Sequence, residues 1–179
     1  MTELQFTPIC SPDELHGFDC GNASINALVE KSYPQQLTKQ ARTYRVLYRG
    51  CRVGFYSVSI ATVTSENEPS ALADYYEGNE PHFGAVKLDF IAIEKSFQRY
   101  GLGKKLLEHV AGQVRELSRN WPVRILYLDA LSDKVDWYKT NGFQLFAEDQ
   151  SGAGYTVPMY LDLLTADEER ALHLFAEDI

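Results

Sequence analysis

Apolar and polar positions follow two different periods along this chain, and the switches between them mark its elements. Asn22 reads as an N-cap, after which Ile25, Leu28, Val29 and Ser32 fall on one helical face; Pro34 ends that helix or starts another. Residues 43–49 and 53–64 are rich in β-branched and aromatic side chains and read as two strands turned at Gly50, an antiparallel hairpin. Residues 86–93, VKLDFIAI, are nearly all apolar and predict a central strand covered on both faces. After a loop at 94–101, Leu102, Leu106, Val110 and Val114, with Leu107 and Leu117 beside them, form a helical stripe that stops at Arg119-Asn120-Trp121-Pro122. Residues 124–130, RILYLDA, are the next strand, which makes a right-handed parallel βαβ unit. Ser132 or Asp133 caps a short helix carrying Val135 and Tyr138, stopped by Asn141-Gly142. Strands at 143–148 and 155–163 flank a Gly-rich turn at 151–154. Thr165-Ala166-Asp167-Glu168 fits a capping box that opens a last helix.

This order of elements predicts an α/β fold built on a mixed sheet. With 179 residues, 45% apolar and 12% aromatic, the chain can build a core. The expected organisation is one domain over 1–163 with a C-terminal helical extension over 164–179. No run of 18 apolar residues occurs, so no membrane span is expected. The first ten residues lack a basic region followed by an apolar run. Cys10, Cys20 and Cys51 are odd in number, with no CxxC, which suits reduced thiols in the cytoplasm. The histidines at 16, 82, 109 and 173 show no ligand spacing, so no metal site is expected.

Charge narrows the function. Lys plus Arg is 17 against 25 for Asp plus Glu, a net of −8, whereas a binder of phosphate backbones is normally basic. Residues 65–85 hold Glu66, Glu68, Asp74, Glu77 and Glu80 and no Lys or Arg; they read as a solvated connection or as a lid that prefers cations. The acidic tail after Asp162 reads as a solvated helix or as a contact between two copies of the chain.

Against this acidic background Lys95, Arg99, Lys104 and Lys105 crowd one turn, Gln98-Arg99-Tyr100-Gly101-Leu102-Gly103-Lys104, between a buried strand and a helix. Glycines let the backbone approach a ligand, and a helix N-terminus offers unpaired N–H groups that suit phosphate oxygens. A Walker A loop fails here, because the glycines are two apart and Lys105 stands where Ser or Thr is required. A dinucleotide fingerprint lacks its third glycine, Leu106 standing after Gly101-Leu102-Gly103. Asp129 could imitate its ribose-binding acid, but a single βαβ unit behind antiparallel strands does not suit a doubly wound fold.

The stretch resembles the GNAT acetyltransferase superfamily, whose loop pattern is Q/R-x-x-G-x-G/A after an apolar strand. Ile91-Ala92-Ile93 is similar to that strand end, and Gln98 to Gly103 matches the loop in full. A second segment, Asp136-Trp137-Tyr138-Lys139-Thr140-Asn141-Gly142-Phe143, is similar to the family's F-Y-x-x-x-G-F, with Trp137 in place of Phe. Leu131 stands where the family often has Asn, with Ser132 and Asp133 alongside. The resemblance implies a mixed sheet with splayed central parallel strands flanked by helices, and acetyl-CoA as cofactor. It further implies that Ile91, Ala92 and Ile93 hold the pantetheine arm, that Gln98, Arg99, Tyr100, Gly101, Leu102, Gly103 and Lys104 hold the pyrophosphate, and that Asp133 and Tyr138 lie near the cofactor.

In that reading Tyr138 is the general acid beside the CoA sulfur, or else a buried aromatic of a short helix. Asp89, an acid inside an apolar run, is a candidate general base, with Glu94 and the acidic loop as alternatives. The acceptor is then an amine on a small molecule or protein. A second resemblance, carried by Phe18-Asp19-Cys20-Gly21-Asn22, Gln35-Gln36, Ala41-Arg42-Thr43-Tyr44 and Val53-Gly54-Phe55-Tyr56-Ser57, is to the GNAT branch containing toxins that acetylate aminoacyl-tRNA. Lys31, Lys39, Arg42, Arg45, Arg49 and Arg52 make that part locally basic. A non-catalytic acyl-CoA-binding module is the remaining alternative.

Overall fold

The computed structural model of the protein describes residues 4–64, 82–146 and 155–177. Seven strands form one mixed sheet: β1 (Leu4–Pro8), β2 (Arg42–Tyr48), β3 (Cys51–Thr64), β4 (His82–Ile93), β5 (Val123–Leu131), β6 (Gln144–Leu145) and β7 (Thr156–Asp162), in the order β1-β2-β3-β4-β5-β7-β6. Among the described residues four α-helices accompany it: α1 (Ala23–Leu37), α2 (Leu102–Ser118), α3 (Val135–Thr140) and α4 (Ala166–Glu177). β4 is the middle strand, and β5, which α2 connects to it, is its neighbour. Contacts divide the chain into two compact units, Met1–Ile60 with Lys87–Gln113, and Ala61–Val86 with Val114–Ile179.

The first unit is built on the β1-β2-β3 antiparallel meander and the C-terminal half of β4. Arg49 and Gly50 both take positive φ (53° and 77°), the backbone of a tight two-residue hairpin whose twist matches its strands. Asn22 caps α1 by accepting the Ile25 N–H at 3.0 Å. The helix buries Val29 and Ser32 and packs near Ile9, Leu15, Phe55, Phe90 and Ala92. Two expectations are corrected in α1. Leu28 is 41% exposed rather than in the stripe, and the helix runs through Pro34 to Leu37. Proline removes the N–H bond back to Glu30, and both positions are exposed. A second cluster stacks Tyr44 on Tyr56 (4.8 Å) and His109 of α2 on Phe6 (3.6 Å); burial holds His109 below its ordinary pKa, so it packs as a neutral ring.

The second unit joins the start of β4 to β5, β7 and β6. β5 and β7 pair antiparallel, with Leu128 opposite Met159 and Ala130 opposite Val157, all four buried. Arg124 binds Asp162 through Nη2 at 2.8 Å and lies over the Phe83 ring at 4.6 Å, tying three strands together. The capping box forms: Thr165 N–H donates to Glu168, and the Glu168 N–H donates to Thr165 Oγ1.

The structure changes other expectations as well. β4 starts at His82, four residues before the apolar run, because Gly84 lets it approach the chain at Pro122. Its faces are unequal: Leu88, Phe90 and Ala92 are buried, whereas Lys87, Asp89 and Ile91 are half-buried. Neither Ser132 nor Asp133 caps α3. A 3-10 turn over Ser132–Lys134 leads into it, Ser132 donating to the Tyr155 carbonyl and Asp133 pairing with Lys134. β6 has only two residues. The acidic stretch from 65 to 81, the Gly-rich turn at 151–154 and positions 147–148 lie outside the described residues.

Candidate active site

In the first unit the sheet delivers β4 directly into the glycine loop. β4 stays paired to its end, where the Glu94 N–H donates to the Val53 carbonyl at 2.8 Å. Gly54 permits this closeness: a Cβ there would lie 2.2 Å from the Ala92 carbonyl oxygen and 3.1 Å from Ile93 Cδ1. Ala92 and Ile93 are buried and Ile91 is half-buried, so this strand end is fixed by packing.

Beyond it the chain makes a 3-10 turn over Lys95–Phe97 and reaches the loop. Gln98 does not turn its amide outward. Its Nε2 donates to the Cys20 carbonyl at 2.7 Å and the Ile93 carbonyl at 3.0 Å. Arg99 (φ 68°) and Gly101 (φ 74°) then adopt left-handed backbone, and a Cβ on Gly101 would meet nothing within 4 Å. The bend is therefore open on that side. The Gly101 carbonyl accepts the Lys105 N–H at 3.2 Å, so α2 begins off the bend. Leu102 is buried and anchors the helix, while the N–H groups of Leu102, Gly103 and Lys104 have no carbonyl behind them within the helix. Arg99, Tyr100, Lys104 and Lys105 are exposed around this end, with Lys104 only 3.9 Å from Glu108. Open backbone donors, a helix N-terminus and exposed cations fit a pyrophosphate.

Asp89 and Glu94 lie in the same unit. Asp89 accepts from Ser59 Oγ at 2.8 Å and Ser57 Oγ at 3.4 Å, and fully buried Thr43 donates its hydroxyl to Ser57 at 3.1 Å. Glu94 is committed otherwise. Its Oε1 accepts the Asp19 N–H at 3.3 Å, and its Oε2 pairs with Arg52 at 3.5 Å. Arg52 also donates to the Glu14 and His16 carbonyls, and Arg45 pairs with Glu14 at 2.9 Å. Sequence spacing could not find these supports, since they join residues 14 to 75 positions apart.

In the second unit Tyr138 is buried against Phe143 (ring centroids 5.5 Å apart) and Trp137 (4.8 Å). Its hydroxyl takes no hydrogen-bond partner among the described residues. Burial raises its pKa, which keeps the phenol protonated at neutral pH. Asn141 and Gly142 (φ 91°) close α3 behind it. Asp133 is exposed beside Lys134. Among the described residues no group of His, Cys, Asp and Glu could hold a metal ion, and no helix is long and apolar enough to cross a membrane.

Residues 39–145 match the acetyltransferase (GNAT) domain family, and this is well over half of the chain. The chain belongs to the GNAT acetyltransferases. As a GNAT acetyltransferase it is an acyltransferase that uses acetyl-CoA. Its fold recurs over nearly the whole length of several solved structures. A tyrosine-to-phenylalanine mutant of the toxin AtaT is 20% identical, with 96% of this chain and 93% of that chain covered and a TM-score of 0.71. A tyrosine-to-phenylalanine mutant of KacT is 20% identical, with 96% and 98% covered and a TM-score of 0.70. AtaT complexed with acetyl-methionyl-tRNAfMet is 19% identical, with 97% and 99% covered and a TM-score of 0.69.

Proposed function

We propose that this GNAT acetyltransferase acetylates the α-amino group of an aminoacyl-tRNA, as a toxin-type enzyme. The observation that carries the reading is that the likeness to AtaT, one structure of which holds acetyl-methionyl-tRNAfMet, extends over 97% of this chain, including the segment before residue 39 that lies outside the family match. Sequence alone puts a small-molecule or protein amine ahead of tRNA because of the net charge of −8. That charge is unevenly placed: Lys31, Lys39, Arg42 and Arg49 are exposed in the N-terminal part, while Arg45 and Arg52 are taken up by Glu14 and Glu94.

The chemistry suits such an acceptor. Acetyl-CoA supplies an acetyl group on a thioester, with a thiolate as leaving group. Gly101, Gly103 and Lys104 hold its pyrophosphate, with Arg99, Tyr100 and Leu102 shaping the bend, and the backbone of Ile91–Ile93 holds the pantetheine arm. An α-amino group has a pKa of about 8, against about 10.4 for lysine, so near neutral pH it needs far less help to lose its proton. Asp89, oriented by Ser57 and Ser59, takes that proton; Glu94 is unsuited because Arg52 neutralises it. Tyr138 donates its phenolic proton toward the departing sulfur.

Asp89→Asn is expected to lower kcat roughly tenfold to thirtyfold near pH 6.5, where the amine is mostly charged. The loss should shrink toward pH 8.5, where the free base dominates without help. A pH–rate profile of both proteins checks this. The substrate is tested by incubating the enzyme and labelled acetyl-CoA with charged tRNA, deacylated tRNA and a panel of free amines. Label on the aminoacyl end of charged tRNA supports the reading, with growth arrest on induced expression as its consequence in cells. Label only on free amines overturns it.

A further inference from the structure

The segment Phe18-Asp19-Cys20-Gly21-Asn22 has no part in the chemistry above, yet its Asp19 and Cys20 are bonded to Glu94, Lys95 and Gln98, where the chain enters the cofactor loop. The Asp19 carbonyl accepts the Lys95 N–H at 2.9 Å, the Asp19 N–H donates to Glu94 at 3.3 Å, and the Cys20 carbonyl accepts Gln98 Nε2 at 2.7 Å. Gly21, at φ 79°, packs close to Lys95: a Cβ there would sit 3.7 Å from its side-chain carbons. On its other side the segment is gripped by Asn26 in α1. Asn26 Oδ1 accepts from the Cys20 N–H at 3.0 Å, and its Nδ2 donates to Asp19 Oδ1 at 2.9 Å. The same Asp19 oxygen accepts the Gly21 N–H at 2.7 Å. Asn26, then Gly21, hold the Asp19 carboxyl below the usual carboxylate range.

We propose that Asn26, Asp19 and Gln98 are positioning residues for acetyl-CoA, forming a buttress that keeps the loop in its ligand-ready shape. The physical need lies at Arg99, a non-glycine residue held at φ 68°. Left-handed backbone costs such a residue about 1–2 kcal/mol, and it persists only when its surroundings over-determine it. Gln98, immediately before it, is fixed by two hydrogen bonds, one to β4 itself and one to Cys20, whose own N–H is fixed by Asn26. Without this chain of contacts the bend relaxes toward ordinary backbone and its N–H groups no longer converge. Acetyl-CoA binding is then weakened from α1, by a residue that does not touch the loop. This inference rests on the assignment of the Gln98–Lys104 loop to acetyl-CoA, and the experiment separates the two.

Acetyl-CoA affinity is measured by calorimetry, and its KM by steady-state kinetics, for Asn26→Ala, Gln98→Met, the double variant and Gly101→Val, each checked for folding by circular dichroism. Gln98→Met keeps the side-chain length and removes the donors without adding charge. Each single buttress variant is expected to raise the acetyl-CoA KM about fivefold to tenfold, the size of one or two hydrogen bonds. For Asn26→Ala, kcat at saturating acetyl-CoA should stay within about twofold, a split that general destabilisation would not produce. The double variant should be no weaker than about the worse single, since both act through one chain of contacts. Should Asn26→Ala fail to fold, Gln98→Met decides alone. Unchanged affinity in the buttress variants, with a loss in Gly101→Val, overturns the buttress and leaves the loop assignment standing. Multiplying effects in the double variant also overturn it. Unchanged affinity in Gly101→Val overturns the loop assignment and the buttress together.

Discussion

Tyr138→Phe should lower kcat by about 10²–10³-fold and leave the acetyl-CoA affinity unchanged, an effect in the range of general acid catalysis. The substitution removes one oxygen from a ring whose packing against Phe143 and Trp137 does not involve that oxygen. Its hydroxyl has no partner among the described residues, so no structural hydrogen bond is lost and stability should hold. Burial raises its pKa, so at working pH the ring is the neutral phenol that the proposed donation requires. Single-turnover kinetics with calorimetric binding check the split. Equal losses in binding and turnover would make Tyr138 a packing residue.

Gly54→Val should damage the fold severely. A Cβ at position 54 would stand 2.2 Å from the Ala92 carbonyl oxygen, which is backbone of the neighbouring strand and cannot swing aside. β3 and β4 would have to separate where the Glu94 N–H still pairs with Val53. The expected cost is about 3 kcal/mol, in the range of overpacked cores, and it should lower the Tm by roughly 5–12 °C. Because the shift falls on Ala92 and Ile93, the protein that remains folded should also bind acetyl-CoA more weakly. Thermal unfolding followed by circular dichroism measures the first effect and calorimetry the second. A Tm within 2 °C of the wild type, against the roughly 5 °C minimum expected, would mean that the strands have room to spare.

The sequence made the frame of this protein readable where one period dominates. The α2 stripe, the β2–β3 hairpin, the Asn22 cap and the Thr165–Glu168 box all form as their residues require. Local signals misled where tertiary contact decides. Pro34, on the exposed side of α1, ends no helix, and β4 reaches back to His82 because Gly84 permits close approach of the chain at Pro122. The candidate site divides the same way. Glycine spacing and flanking elements disclosed the loop, but nothing local in Gln98 shows that its amide faces inward to Cys20 and Ile93. Likewise the hydroxyls that hold Asp89 come from β3, 30 and 32 positions away.

The central claim is that the backbone N–H groups where the chain bends into α2 take the pyrophosphate of acetyl-CoA. Backbone amide resonances of isotope-labelled protein, followed during titration, address those groups one by one. Acetyl-CoA should shift the amides of Arg99 to Lys104, and S-acetylpantetheine, which has no pyrophosphate, should leave them in place while still shifting Ile91 to Ile93. Loop amides that stay unmoved at saturating acetyl-CoA would contradict the account.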